Sequence, residues 1–269
     1  MLELTQLKRQ GSEGWRQAGE RLVGLRDELA RRTALARQPQ PKGVNPPPLK
    51  LLLAELGSPV DLWRAGQEVR RNPAPVPRGR SRPVMLLPGF GAHPIRMKPL
   101  ARVLEAGGHR VSDWGMGWNL GPTEERFDRL CDRIAAMARK EGEPVVLVGW
   151  SLGGIYAREA AKRLPDAVGM VVTMGTPFSG DRHANNAWRA YQAVTGHTVD
   201  EPPVGVDLAE KPPVPTVALW SPRDGIIAPR SACGRKGERD LAIPIRCTHL
   251  GFASHPAVAA TIAELLAQD

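Results

Sequence analysis

Cysteine is scarce in this chain: 269 residues hold three, Cys131, Cys233 and Cys247, far apart in sequence. An odd, scattered set with no ligand spacing excludes a disulfide framework and a zinc site, so free thiols are expected. No apolar run approaches the ~20 residues that a membrane-spanning helix needs. The stretch Met1–Gln10 lacks the apolar centre and small-residue cleavage site of a secretory leader, which makes a cytoplasmic protein the expectation. There is no glycine-rich phosphate loop and no dinucleotide fingerprint, so neither a cofactor nor a metal is expected. Acidic residues are in deficit, with 28 Asp and Glu against 37 Lys and Arg and a formal charge of +9. The basic residues are nevertheless spread along the whole chain, often beside Asp or Glu, and no basic motif is interleaved with aromatics. That pattern argues against a nucleic-acid partner. Internal repeats are absent.

What remains is an ordinary apolar content of 42% in a chain long enough for one large α/β domain and a short appendage. Residues 1–80 read as a helical, Pro- and Arg-rich extension. Residues 3–37 carry a loose apolar spacing (Leu4, Leu7, Trp15, Leu22, Leu25, Leu29, Leu35) weakened by Gly11, Gly14, Gly19 and Gly24. They form either a peripheral arm or a basic amphipathic segment able to rest on anionic lipid. A proline-rich linker over 38–48 follows, then a helical unit over Leu49–Arg71, both expected on the outside of the main domain.

Residues 81–269 alternate strand and helix patterns, which implies a mostly parallel sheet of about six strands with helices on both faces. The expected strands are Val84–Leu87, His109–Trp114, Val145–Val148, Val168–Met174, Val214–Trp220 and Ile243–Cys247. The expected helices are Pro94–Ala106, Thr123–Lys140, Ile155–Leu164 and His255–Ala267. One stretch organises the rest. Val145–Val148, consecutive and aliphatic, runs into Gly149-Trp150-Ser151-Leu152-Gly153 and then directly into a helix. In a G-x-S-x-G between strand and helix, the sharp turn lifts the serine hydroxyl above the sheet edge. Bulky side chains are excluded two residues either side, and the helix N-terminus favours an anion. Ser151 is therefore the candidate nucleophile.

This stretch, with the strands around it, resembles the α/β-hydrolase superfamily, and within it bacterial esterase/lipase-like serine hydrolases. The resemblance covers Pro83 to the C-terminal end. The antiparallel first strands usual in that family are not evident, so a minimal version of the fold is expected. Its chain order, nucleophile then acid then base, places the acid after a late strand and the base after the last one. Asp224, in Trp220–Gly225, is the expected acid, with Asp181 and Asp207 as fallbacks. His249, in Cys247–Phe252, is the expected base, and His255 reads better as a cap of the last helix. By position the oxyanion donors are the backbone N–H groups of Leu152 and Phe90, the latter in Pro88-Gly89-Phe90-Gly91, where many relatives carry His-Gly.

The segment 178–213, with a helix expected over Asn185–Ala193, sits where this fold carries a small lid. Met116, Trp118, Trp150 and Phe178 are the expected wall of an apolar pocket. Gly117–Pro122 also matches the esterase/lipase-like group, without a role. The activity so implied is cleavage of a small-molecule carboxylic ester through an acyl-enzyme. The alternatives are acyl transfer with the same three residues, a cofactor-free haloperoxidase or lyase, and a lipid-surface protein working through its N-terminal arm, which is where any peripheral membrane contact is expected. Oligomeric state is not legible.

Overall fold

A computed structural model describes residues 21–71, 76–204 and 207–268. The expected arm over 3–37 is therefore seen only from residue 21, its first part lying outside the described residues. Helix α1 covers 21–36, and an extended stretch follows to residue 48. Helix α2 is Leu49–Ala54, and a 3-10 turn, Glu55–Gly57, leads into α3, Ser58–Arg71.

Six strands form one sheet in the order β2-β1-β3-β4-β5-β6: β1 Pro83–Leu87, β2 Arg110–Asp113, β3 Val145–Trp150, β4 Val168–Met174, β5 Thr216–Trp220 and β6 Leu241–Pro244. Every pairing between them is parallel. Boundaries move in five of the six strands. The first starts one residue earlier, the second is shorter at both ends, the third runs on to Trp150, the fifth starts two residues later, and the last is shifted upstream to Leu241–Pro244, because the chain leaves the sheet at Pro244. From β1 the chain goes out to the edge strand β2, then returns to the other side of β1 at β3 and moves steadily on. The order therefore reverses between β1 and β3, and a parallel sheet opens a crevice at the carboxyl ends of the strands flanking such a point.

Side-chain alternation gives the sheet two apolar faces. Val84, Leu86, Val146, Val148, Val172 and Leu219 pack under α4 (Lys98–Ala106) and α9 (Pro256–Gln268) through Leu100, Leu104, Ile262 and Leu266. Met85, Leu87, Val145, Leu147 and Val171 pack under α5 (Glu124–Glu141) and α6 (Leu152–Arg163) through Leu130, Ile134, Tyr156 and Ala160. Strands covered on both faces read as continuous aliphatic runs, which is why Val145–Val148 stands out. Helix α5 shows what sets its bounds. The Thr123 hydroxyl accepts the Arg126 N–H, Glu124 and Glu125 occupy the first turn, and Gly142 ends the helix at φ 70°.

Helix α7 (Trp188–Thr195) forms three residues later than expected, and α8 is the short Pro229–Cys233. Helix α1 and the stretch after it are fastened to α7. Arg31 donates to the Gly196 carbonyl at 2.7 Å, Gln192 to the Leu35 carbonyl at 3.0 Å, and the Trp188 indole to the Gln40 side chain at 3.0 Å. Helix α3 packs against α9 and against the 3-10 turn Leu250–Ala253.

Candidate active site

Ser151 closes β3 and stands before α6, and it is the single non-glycine residue at positive φ among the described residues (φ 53°, ψ −121°). An L residue in this region is strained and persists only when its surroundings over-determine it. Here they do. The Ser151 N–H donates to the Met174 carbonyl at 2.8 Å. A Cβ on Gly149 would lie 2.4 Å from Gly154, one on Gly153 2.2 Å from the Leu87 carbonyl oxygen, and one on Gly154 2.0 Å from the Thr176 hydroxyl. These glycines let strand, turn and helix close on one another.

The loop leaving β1 approaches the same point, since a Cβ on Gly89 would meet the Ser151 Cβ at 3.3 Å. Asn119, fully buried, fixes that loop. Its side-chain N–H donates to the Pro88 carbonyl at 2.8 Å, its carbonyl accepts the Gly91 N–H at 2.7 Å, and its own N–H donates to the Ala92 carbonyl at 3.0 Å. The stretch Gly117–Pro122, without a role in the sequence reading, thus contributes the residue that holds Phe90 beside Ser151.

Asp224 and His249 come together on the loops after β5 and β6. The Asp224 Oδ2 lies 2.8 Å from His249 Nδ1, while its Oδ1 accepts the N–H groups of Ile226 at 2.8 Å and Ile227 at 2.7 Å. Both residues are buried. Burial alone would pull the His249 pKa down, but the charge of Asp224, its hydrogen bond and the more distant charge of Glu55 outweigh this and leave it raised. The base loop is tied to the serine turn through Trp150, whose indole N–H donates to the His249 carbonyl at 3.1 Å. The Ser151 hydroxyl itself has no hydrogen-bond partner among the described residues.

The other candidates for acid and base are turn formers. The Asp181 carboxylate accepts the His183 N–H, the Asp207 carboxylate accepts those of Ala209 and Glu210, and His255 Nδ1 accepts the Ala257 N–H as a cap of α9. Among the described residues no group of three or more His, Cys, Asp or Glu side chains could hold a metal ion. Burial pushes the Cys131 thiol up to about 11 and raises that of Cys247 further.

A cavity of about 100 Å³ opens at Ser151. Phe90, Pro122, Leu152, Ile155 and Tyr156 form its inner wall, and Trp188, Tyr191, Val199, Val204 and Leu208 close it from the 178–213 segment. Arg182 and Asn185 also line it, and the Tyr156 hydroxyl is buried without a hydrogen-bond partner, its pKa raised by burial. The outer half of the segment is pinned by Arg158. This buried guanidinium donates to the carbonyls of Leu208, Ala209, Glu210 and Glu238, and burial pulls its pKa down to about 10.

None of the four residues expected to wall the pocket does so. Strand alternation sends Trp150 to the α4/α9 face, opposite Ile155 and Tyr156. Phe178 is turned under Arg158, with its ring 4.1 Å from the guanidinium carbon, and Met116 packs against the α5/α6 core. Trp118 is 58% exposed, edge-on to His93. What sequence reasoning missed altogether is Glu55, whose carboxylate reaches the loops of Asp224 and His249 from the N-terminal extension. An acidic residue in a short Leu-rich helical unit carries no pattern that would single it out.

Comparison with known proteins bears on the fold. The model of the Alpha/beta hydrolase family matches residues 84–205. A pimeloyl-[acyl-carrier protein] methyl ester esterase of Aliivibrio salmonicida is 26% identical over 117 residues, and this chain spans only 43% of that relative's length. Among solved structures, the mature form of lipase BlEst2 of Bacillus licheniformis superposes with a TM-score of 0.56 at 16% identity, over 73% of this chain and 96% of that one. Aspergillus fumigatus lipase B does so with 0.52 at 18% identity, over 70% and 53%. In strand order and in the family-model match over residues 84–205, the chain has the α/β-hydrolase fold and is similar to that family.

Proposed function

We propose that the protein is a serine hydrolase of carboxylic esters, with Ser151 as nucleophile, His249 as general base and then acid, and Asp224 orienting the imidazole. The observation that carries this reading is the strained Ser151 at the mouth of an apolar cavity, beside a buried His249–Asp224 pair bonded at 2.8 Å. A serine hydroxyl is a weak nucleophile until a base takes its proton. The bond from Ser151 to His249 forms in the substrate complex, where catalytic hydrogen bonds tighten. The attacked carbonyl becomes a tetrahedral oxyanion held by the N–H groups of Leu152 and Phe90, the first lying at a helix N-terminus. Collapse expels the alcohol, which takes its proton from His249. Water activated by the same imidazole then releases the acid.

The apolar wall favours an acyl chain over a charged group, with the 178–213 segment as its lid. Contact of the N-terminal arm with a lipid surface belongs to the same reading. It is supported by Leu22, Val23, Leu25 and Leu29, all exposed on α1 among Arg21 and Arg26. Sedimentation with anionic vesicles tests it, and binding unaltered by Leu25→Asp with Leu29→Asp would remove it.

The decisive experiment labels the purified protein with a fluorophosphonate and follows hydrolysis of p-nitrophenyl esters of graded chain length. A single adduct on Ser151, and ester turnover lost in Ser151→Ala, are expected. Wild-type turnover in Ser151→Ala overturns the reading, and acyl transfer to an added alcohol at the expense of hydrolysis redirects it to an acyltransferase.

A further inference from the structure

The 3-10 turn between α2 and α3 hides a carboxylate that the ester-hydrolase reading leaves unused. Glu55 is 4% exposed. Its Oε1 accepts the N–H groups of His249 at 2.7 Å and Gly225 at 2.9 Å, and its Oε2 accepts that of Leu250 at 2.9 Å. Among the described residues no cation pairs with it, so three backbone dipoles alone offset the cost of burying its charge. All three belong to the two loops that carry the acid and the base. The surrounding contacts leave little play. A Cβ on Gly225 would lie 2.2 Å from the Leu51 carbonyl oxygen, and the Ser58 and Thr248 hydroxyls are bonded at 2.5 Å. The Asn186 side chain donates to both the Gly225 and Pro47 carbonyls, at 2.8 and 3.0 Å.

We propose that Glu55 is a positioning residue of the active site, a carboxylate supplied by the N-terminal extension that fixes the backbone of Gly225, His249 and Leu250 and places a second negative charge behind the catalytic imidazole. The proposal rests on the reading of His249 and Asp224 given above. Two consequences follow from its chemistry. Fixing both loops at once sets the separation and tilt of the His249–Asp224 pair, which decides how well the imidazole meets the serine hydroxyl. The charge also favours the imidazolium that forms when the serine proton is taken, adding to Asp224 in raising the His249 pKa. The remaining ionisable groups here, Asp61 on α3, Arg223 after β5, Arg246 and Cys247 before His249, and His255 before α9, line a second, polar cavity together with Thr248 and Gly251.

The test compares Glu55→Gln and Glu55→Asp with the wild-type full chain in kcat, KM, the pH profile of kcat/KM and the rate of fluorophosphonate labelling. Glu55→Gln is expected to lower kcat roughly 10- to 100-fold, the scale set by small misplacements of catalytic groups. KM should stay nearly unchanged, labelling should slow in parallel, and the acidic limb should move to lower pH because the negative charge is gone. Glu55→Asp should restore the wild-type limb without restoring full kcat. A merely structural glutamate would lower the unfolding temperature and leave the limb in place. A folded Glu55→Gln with wild-type kcat and limb overturns the proposal, as does a loss in KM alone. Should Glu55→Gln not fold, native hydrogen exchange of the wild type decides. The amides of Gly225, His249 and Leu250 are expected to be protected like those of Val146–Val148 in β3, and exchange at the rate of a free loop overturns the proposal. If wild-type Ser151 takes no label, it is the hydrolase reading that fails, whatever Glu55 does.

Discussion

The two sides of the site are held by different means. On one side Ser151 is the single residue between a strand and a helix, locked where the glycines at 149, 153 and 154 let the backbone close on itself. On the other, Asp224 and His249 sit on loops that end in no such lock, and their backbone is gripped by Glu55, 170 residues from Gly225 and 194 from His249. The first arrangement is strained and local. The second is unstrained and assembled from distant parts of the chain. An L residue at positive φ must be held against its own conformational preference, which close packing of the surrounding backbone does here. A base must be held in orientation while its charge changes, which calls for hydrogen bonds and countercharge.

Breaking each side separately sharpens the contrast. Ser151→Ala is expected to remove about a million-fold in kcat, the scale for loss of a triad nucleophile, read in single-turnover assays of a p-nitrophenyl ester. Asp224→Asn should cost about 10⁴-fold by presenting the wrong imidazole tautomer, while the Ser151 backbone is undisturbed. The wild-type acidic limb should lie above the ordinary histidine value, because the raised His249 pKa keeps the base protonated to higher pH. In Asp224→Asn it should fall, since the largest raising charge is gone. Asn119→Ala, which frees the Phe90 loop, should cost about 100-fold in kcat, the scale of one lost oxyanion donor, with the limb unmoved. The smallest effect is the most specific to the strained side. Ser151→Gly should be more stable than Ser151→Ala by about 1 kcal/mol in urea unfolding, because glycine accepts positive φ freely.

Legibility in the sequence followed the same division. Gly149–Gly153 could be read because the strand, turn and helix around Ser151 are contiguous in sequence, although Leu87, Met174 and Thr176 also hold the turn, and the sheet could be read because strands buried on both faces leave aliphatic runs. Asp224 and His249 were reachable through chain order, and the hydrogen bond between them now accompanies that order. The pocket wall was not reachable, since which side of β3 Trp150 faces depends on register against the helices, and Phe178 turns on a contact with Arg158. The linker and helical unit over 38–71 read as peripheral from their prolines and exposed leucines. Their buried polar members, Glu55 and Ser58, are single residues whose partners lie at the other end of the chain.

The reach of Glu55 also orders events in time. Synthesis delivers residue 55 long before Gly225 or Leu250 exists, so the carboxylate must wait, solvated, until almost the whole sheet has formed. Contacts of such sequence separation close late and slowly. A nascent chain stopped between Thr176 and His249 would carry the serine turn without the His249 and Leu250 amides that Glu55 binds. Under the proposed reading of Ser151 and His249, such incomplete chains are inactive, and activity appears only when the two ends of the polypeptide meet.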